Sequence, residues 1–286
     1  SFFDLDERHR AILFDIRLPR VLLGLATGAS LAAAGAAFQS LLRNPLAEPY
    51  LLGVSNGAAL GTMFAFIFFG GFEFARPLAA FAGASLATFA VYKMAQSRAG
   101  MNTERLVLSG VIVTTFLSSI IVLLTTLLDA TKLRSFTFWL LGDLSQATNN
   151  SFYLAIIAAV LGTIILTATA RSLNLMMLGE RDAFDFGVEV GKTRLIVFAT
   201  ASALVGIAVA SSGSVGYVGL VVPHIVRLLL GSDNRRVIPA TAFAGAIFVM
   251  LADTVARTAI APRELPVGAI TALIGAPMFI YLLKKS

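Results

Sequence analysis

The sequence predicts an all-α protein that crosses a membrane many times. Of its 286 residues, 57% are hydrophobic and only 13% are charged, and the mean hydropathy is +0.85. A soluble domain usually carries about 25% charged residues, so this chain has too little charge to cover a surface that faces water. The composition argues against a soluble enzyme and a disordered chain, and the absence of cysteine argues against a disulfide-stabilised secreted protein.

Long uncharged windows between the charged residues predict the individual spans. About 20 apolar residues in a helix cross a hydrocarbon core of about 30 Å. The windows lack the strict alternation that a membrane barrel requires, so we expect helices. They cover residues 21–42, 49–72, 77–92, 106–128, 144–170, 195–226, 237–252 and 265–283.

The window at 195–226 is too long for one simple span. It contains a glycine- and serine-rich break at 211–219, followed by Pro223, so we expect two helices there, the second of them short. The sequence thus predicts about nine transmembrane helices in a single membrane domain that covers residues 1–286.

The basic residues predict the orientation of these spans. Loops on the cytoplasmic side are enriched in Lys and Arg. Placing the C-terminal Lys284 and Lys285 inside puts most basic residues inside and the first segment, with Arg8 and Arg10, outside. Because a chain that starts outside has no span before it, we expect a further helix ahead of residue 1 and ten helices in all.

The densest pattern lies between residues 17 and 61. Pro45 and Pro49 follow the first window and interrupt any regular helix there. Glycines then recur four residues apart on one helix face, which lets another backbone approach closely. They are Gly53, Gly57 and Gly61. On spacing alone, an ordinary turn followed by a packing face explains this region as well as a functional segment does.

Three blocks of sequence resemble the permease of ABC importers for iron chelates, haem and cobalamin. The first is Arg-x-Pro-Arg at 17–20 with Asn-Pro-Leu-Ala-Glu-Pro-x-Leu-Leu-Gly-Val-Ser-Asn-Gly-Ala at 44–58. The second is Gly-Tyr-Val-Gly-Leu-Val-Val-Pro-His-Ile-Val-Arg at 216–227. The third is Leu-Ala-Asp-Thr-Val-Ala-Arg at 251–257, followed by Glu-Leu-Pro-Val-Gly and Gly-Ala-Pro.

The resemblance implies a ten-helix permease with an inverted internal repeat, located in the bacterial cytoplasmic (inner) membrane and active as a homodimer. It implies two cytoplasmic ATPase subunits, which bind ATP and Mg²⁺, and a periplasmic or lipid-anchored substrate-binding protein. Membrane lipid surrounds such a permease, and no nucleic acid is implied. The chain itself is then expected to be non-catalytic, without cofactor or metal, and to pass a ferric siderophore, with haem and cobalamin as alternatives.

Three arginines match the positions where the family faces its binding protein: Arg17, Arg20 and Arg257. Guanidinium groups at an outer rim pair with carboxylates of a partner and steer its approach. For Arg257, an ion pair with Asp253 one helical turn earlier is the alternative, and for the other two it is anchoring to lipid headgroups.

The longest polar connection, 171–194, contains a short charged segment. Acidic residues near its start and Gly187 at its end favour a short helix, and two phenylalanines offer apolar anchors for a partner. The resemblance assigns this segment to the coupling helix that lies on the ATPase, and a solvated loop helix is the alternative. The segment comprises Gly179, Glu180, Arg181, Asp182, Ala183, Phe184, Asp185, Phe186 and Gly187.

The sequence Gly-Val-Glu-Val-Gly-Lys-Thr at 187–193 is similar to a phosphate-binding loop. It has three residues between its glycines where that loop has four, and it follows a helical loop and not a strand. We therefore predict that this chain does not bind nucleotide.

The window after Arg105 is the predicted wall of the translocation pathway. Gly110, Thr114 and Ser118 share one helix face there, although Ser and Thr in such helices often bond the carbonyl four residues earlier. Thr103 and Glu104 match the family's cytoplasmic gate loop in position, and helix capping by Thr103 is the alternative.

The remaining polar residues do not predict a metal or catalytic site. The two histidines are far apart, and we expect His224 to bond the carbonyl that Pro223 frees. An ion-coupled secondary transporter is the competing function, but that class needs ionisable residues deep in the membrane, and the windows are nearly bare of them. A membrane enzyme lacks support because no paired carboxylates or nucleophile with a base are found.

Overall fold

The computed structural model describes residues 7–69, 75–97, 100–101, 103–145 and 149–285. Regular structure within these ranges is helical, apart from a hairpin between β1 (Gln96–Ser97) and β2 (Gly100–Met101). A π-helical turn, Ile12–Arg17, joins α1 to α2, and a 3₁₀ helix, Pro49–Leu52, precedes α3. The α-helices are α1 (Glu7–Ala11), α2 (Leu18–Leu41), α3 (Val54–Phe68), α4 (Ala75–Ala95), α5 (Thr103–Thr125), α6 (Ala130–Leu140), α7 (Asn149–Ala168), α8 (Ala170–Leu178), α9 (Glu180–Asp185), α10 (Val190–Ser212), α11 (Val218–Leu230), α12 (Asn234–Thr258) and α13 (Val267–Lys285).

Each predicted span coincides with a helix in the described part of the chain, but fewer than nine are full spans by length and composition. Five helices qualify: His9–Leu41, Ala75–Ala95, Glu104–Thr125, Val190–Ser212 and Asn234–Thr258. The pair Phe152–Ala168 and Ala170–Leu178, bent by 48°, makes a sixth. Helices α3, α11 and α13 are apolar but shorter, so an all-α membrane fold is confirmed while the count of nine full spans is not.

Helix α2 is the centre of the molecule. It packs against α7, α10, α11 and α12. In its apolar window 78% of the residues are buried, whereas the corresponding value for α5 is 17%. Most of the buried residues of α2 are Ala, Gly or Ser, so neighbouring helices come close to its backbone.

Both predicted helix breaks are present. After α2 the chain leaves α-helical geometry until Val54. The 3₁₀ turn in this stretch ends at Gly53, which is in the left-handed conformation (φ 77°). After α10 it is non-helical from Gly213 until α11 begins. The second break thus divides the long window as its glycines and serines predict.

Close helix packing explains the glycine spacing. A Cβ added at Gly57 or Gly61 would overlap backbone of α4, and one at Gly35 would overlap the carbonyl oxygen of Gly219 on α11. The four-residue pattern is therefore a packing face for Gly57 and Gly61, as the ordinary explanation proposed, while Gly53 lies against α5.

Replacing Gly35 by Ala is expected to destabilise the protein by about 1–3 kcal/mol, because the methyl group must push α11 away from α2. Thermal unfolding of the detergent-solubilised chain measures this effect. The matched control is Gly191→Ala in the first turn of α10, where no atom lies within 4 Å of the added Cβ. We expect that variant to unfold at or slightly above the original Tm, and equal losses in both variants would contradict the close contact.

Candidate functional site

A buried ion cluster joins α2 to α12 at one end of the molecule. Arg20 and Asp253 are 9% and 3% exposed. The Arg20 Nε lies 3.1 and 3.2 Å from the two carboxylate oxygens of Asp253, and Nη2 lies 2.9 Å from Oδ1. Nη1 donates to Oε2 of Glu264 at 2.8 Å, and Nε of Arg257 lies 3.1 Å from Oδ2 of Asp253. Two cations and two anions therefore balance one another.

The sequence brings this cluster together through antiparallel packing of two helices. Arg20 is in the first turn of α2, beside Pro19, and Asp253 is in the last turns of α12. Following the predicted orientation, we call the end that holds this cluster the outer end. The inner end is the opposite end, which holds Asn174 and Asn234.

The three predicted docking arginines have different environments at the outer end. Arg17 is exposed, in the π-helical turn. The side chain of Arg257 is 25% exposed and makes the ion pair that its four-residue spacing predicts. Arg20 is buried and bonded to two carboxylates, so its guanidinium is occupied within the chain. A cavity of about 350 Å³ beside the cluster is also lined by Arg134, Asp143 and Pro266.

The two helix breaks are joined by side-chain hydrogen bonds in the interior. The Tyr50 hydroxyl donates to the carbonyl of Val215 and accepts from its N–H, both at 3.0 Å. Oε1 of Glu48 accepts from the N–H of Tyr217 at 3.1 Å. Tyr217 has φ 66°, and its N–H precedes α11, where no helical acceptor exists. Residues of the first break thus satisfy the backbone of the second.

Pro223 frees a carbonyl in α11, and Gln39 of α2 donates a hydrogen bond to it. Because proline has no N–H, the carbonyl of Gly219 four residues earlier loses its helical donor. Nε2 of Gln39 lies 3.4 Å from that oxygen and 3.2 Å from the oxygen of Leu220. The expectation that His224 fills this role is wrong, since the close approach of α2 at Gly35 puts Gln39 there instead.

The predicted pathway face of α5 is turned toward α3. Nδ2 of Asn56 donates to the carbonyl of Thr114 at 3.0 Å and to Oγ of Ser118 at 2.6 Å, and Gly110 is buried. The exposed hydroxyls, Thr115 and Ser119, bond the carbonyls four residues earlier. Asn56 bonds Thr114 and Ser118, so the predicted residues lie on the face of α5 that packs against α3 and not on its open surface.

The predicted gate residues mark the start of α5. Glu104 is exposed in the first turn of the helix. Thr103 begins the helix, but its side chain lies outside the described part of the structure, so capping by Thr103 stays a prediction.

The charged segment forms the expected short helix, α9. Ala183, on the underside of α9, is fully buried, and its carbonyl accepts from the N–H of Val188 at 2.9 Å. Phe184 and Phe186 are 73% and 71% exposed. Glu180 pairs with Arg194 of α10, and Gly187 ends the segment with φ 81°.

The underside of α9 is thus fixed, and its outer face presents two exposed phenylalanines, Phe184 and Phe186. The other members of the segment, Gly179, Arg181, Asp182 and Asp185, surround these phenylalanines, and apart from the half-buried Gly179 they are exposed.

An amide cluster at the inner end has no counterpart in the sequence predictions. Oδ1 of Asn174 on α8 accepts from N and Nδ2 of Asn234, at 3.0 and 2.8 Å. Hydrogen bonds from the N–H of Arg235 and from Nδ2 of Asn174 hold the pKa of Asp233 below its ordinary value. The Asp-Asn pair at the start of a helix was the available signal, since both residues favour N-caps.

Removing Arg20 is expected to leave Asp253 as a buried, under-compensated charge. Arg20→Met should therefore cost about 3–5 kcal/mol of stability, whereas the exposed Arg17→Met should be nearly neutral. Adding Asp253→Asn to Arg20→Met should recover part of the loss. Thermal unfolding of the four proteins in detergent tests this pattern, and an Arg20→Met variant as stable as Arg17→Met would contradict it.

The FecCD transport family model matches residues 1–285. The chain is 42% identical over 282 residues to the cobalamin import system permease protein BtuC of Halobacterium salinarum, covering 99% of this chain and 76% of that protein. It is 43% identical to the uncharacterized ABC transporter permease protein YvrB of Bacillus subtilis, covering 98% and 80%. It is 38% identical to the hemin transport system permease protein HmuU of Yersinia pestis, covering 96% and 83%.

Solved structures agree with these relatives. An ABC transporter assigned to the metal-chelate type, in an inward-facing conformation, superposes with a TM-score of 0.91 at 34% identity, covering 100% of this chain and 91% of that one. PsaBC from Streptococcus pneumoniae, at 14% identity and a TM-score of 0.64, shares the fold. The helix breaks and the helix α9 therefore belong to an ABC importer permease, and the chain is a member of the FecCD transport family.

Proposed function

We propose that the chain is the permease of an ATP-driven importer that passes a metal chelate across the cytoplasmic membrane. Two copies of the chain form the conduit, two ATPase subunits bind at the inner end, and a substrate-binding protein docks at the outer end. The observation that carries the proposal is the segment of α9 and its C-cap, which exposes Phe184 and Phe186 while Ala183 on its underside is buried.

The inner part of the proposal depends on how α9 is fixed. An exposed aromatic side chain anchors a partner well when it is surrounded by polar groups and held rigidly. Ala183 is buried and Glu180 is paired with Arg194, so a force on Phe184 is passed into α8 and α10. A solvated loop helix, the alternative explanation, gives no reason for two phenylalanines to face water.

The outer part assigns docking to Arg17 and Arg257, with Arg20 in support. Arg17 is exposed and Arg257 is partly exposed, so both can pair with carboxylates of a binding protein. Arg20 instead holds Asp253 and Glu264 in place, which fixes the surface from which Arg257 projects. Its contribution to docking is then positional.

We propose α5 as a wall of the pathway. Few of its residues are buried within one copy of the chain, and its exposed face carries Thr115 and Ser119. Gly110, Thr114 and Ser118 support this wall from the side of α3, where Asn56 bonds two of them. Thr103 and Glu104 remain the proposed gate at its inner end.

The cargo is proposed as a metal chelate. Ferric siderophore is the expectation from the sequence, while two of the relatives are named as cobalamin and hemin permeases. All three are large chelates that bring their own metal ligands. Within the described residues, no group of three or more His, Cys, Asp or Glu side chains could hold a metal ion. Cargo of this kind can pass without being coordinated by the chain.

Replacing Phe184 by Asp is expected to abolish binding of the ATPase, because it removes an apolar anchor and adds charge to the contact. Co-purification of the ATPase with the detergent-solubilised chain measures this loss. The control is Phe14→Asp. Phe14 is also exposed but lies just before α2 at the outer end, so this variant should retain the ATPase. Retention by the Phe184 variant would reject α9 as the docking element.

Reversing the charge of Arg17 or Arg257 to Glu should slow association of the binding protein at low ionic strength, by about tenfold or more. Surface-immobilised nanodiscs that contain the chain report the association rate. Arg236→Glu, an exposed arginine at the inner end, is the matched control and should leave the rate unchanged. The same rate in the Arg17, Arg257 and control variants would contradict the proposed rim.

A further inference from the structure

A polar cluster at the inner end connects α8, α12, α2 and α11. Asn234, the first residue of α12, is fully buried, and Ser40 in the last turn of α2 is 1% exposed. Oγ of Ser40 lies 2.7 Å from Oδ1 of Asn234. Nη2 of Arg227 on α11 lies 2.8 Å from that hydroxyl oxygen and 3.1 Å from the carbonyl oxygen of Ala36. We call these side chains, together with Asn174, the inner cluster.

The inner cluster is joined to α9 through α8. Asn174 bonds Asn234 twice through its carbonyl oxygen. It lies on α8, which ends at Leu178 only one residue before α9 begins. A displacement of α9 therefore pulls on Asn174 and, through it, on the start of α12.

Gln39 connects the inner cluster to the helix breaks. Gln39, next to Ser40, bonds carbonyls in the first turn of α11. The same part of α11 follows Tyr217, whose N–H is held by Glu48 of the first break. A shift of α2 relative to α11 at Ser40 is thus transmitted to both breaks.

Arg227 is partly buried and lacks a carboxylate partner in the part of the chain that the structure describes. Within the described residues, no carboxylate lies within ion-pair distance of its guanidinium, and its buried Nη1 has no hydrogen-bond partner. Its acceptors are a hydroxyl, a carbonyl and a more distant amide oxygen. A cation held this weakly can exchange acceptors at low cost when α11 moves, which a two-state element requires.

We propose that the inner cluster couples the ATPase-bound α9 to the position of α11. The four side chains of the inner cluster act as positioning residues that make α8, α12, α2 and α11 move together. They are Asn174, Asn234, Ser40 and Arg227. The inference rests on the proposed function of α9, and the two are tested separately below.

Two spin-label pairs distinguish a movement of α8 from a movement of α11. The chain has no native cysteine that would also be labelled. Labels on Arg171→Cys of α8 and Leu229→Cys of α11, each paired with Leu86→Cys of α4, report distances in the complete complex in nanodiscs. Addition of ATP and Mg²⁺ should shift both distances in the otherwise unmodified protein. With Ser40→Ala or Asn174→Ala, the α8 shift should persist while the α11 shift is lost.

The matched control is Ser202→Ala, which removes a buried hydroxyl on α10 that has no hydrogen-bond partner. It should keep both shifts. In the same complexes, cluster variants should lose stimulation of ATP hydrolysis by the binding protein by about fivefold or more while retaining the ATPase, a split that mere loss of folded protein does not produce.

The outcomes separate the two proposals. An α11 shift that survives both cluster variants overturns the inference while leaving the function of α9 intact. The absence of an α8 shift in the unmodified protein overturns the function of α9 and the inference with it.

Discussion

The structure depends on one constraint: a backbone that leaves helical geometry within a membrane must still have hydrogen-bond partners. In the described part of the chain, the backbone leaves α-helical geometry after α2 and again before α11, and side chains supply the missing bonds at the second of these breaks. Tyr50 bonds both backbone groups of Val215, Glu48 bonds the N–H of Tyr217, and Gln39 serves the carbonyl freed by Pro223. The second break is therefore held in place by side chains of α2 and of the first break.

The small residues of α2 make this support possible. Close backbone approach at Gly35 brings Gln39 within reach of α11, and Gly28 permits similar contact with α12. The sparse charges are correspondingly concentrated at the two ends. The outer end carries the balanced cluster around Asp253, and the inner end carries α9 and the arginine-rich turns.

The sequence predicts features that depend on neighbouring residues. Proline and glycine spacing located both breaks, charge density and Gly187 located α9, and four-residue spacing predicted the Asp253–Arg257 ion pair. Contacts between distant segments were not predictable, because helical periodicity gives a face but not its neighbour. Pro223 indicates a freed carbonyl without showing that Gln39 serves it. Arg20 resembles an exposed docking residue until Asp253 and Glu264, more than 200 positions later, are seen to enclose it.

Amide hydrogen exchange at Val215 and Tyr217 tests the support of the second break by the first most directly. In the chain reconstituted in nanodiscs, both amides should exchange as slowly as those of α10, although neither lies inside a helix. Tyr50→Phe removes the hydroxyl that bonds Val215, so exchange at Val215 should accelerate while Tyr217, held by Glu48, stays protected. Rapid exchange of both amides in the unmodified protein, or no change at Val215 in the variant, would contradict the account.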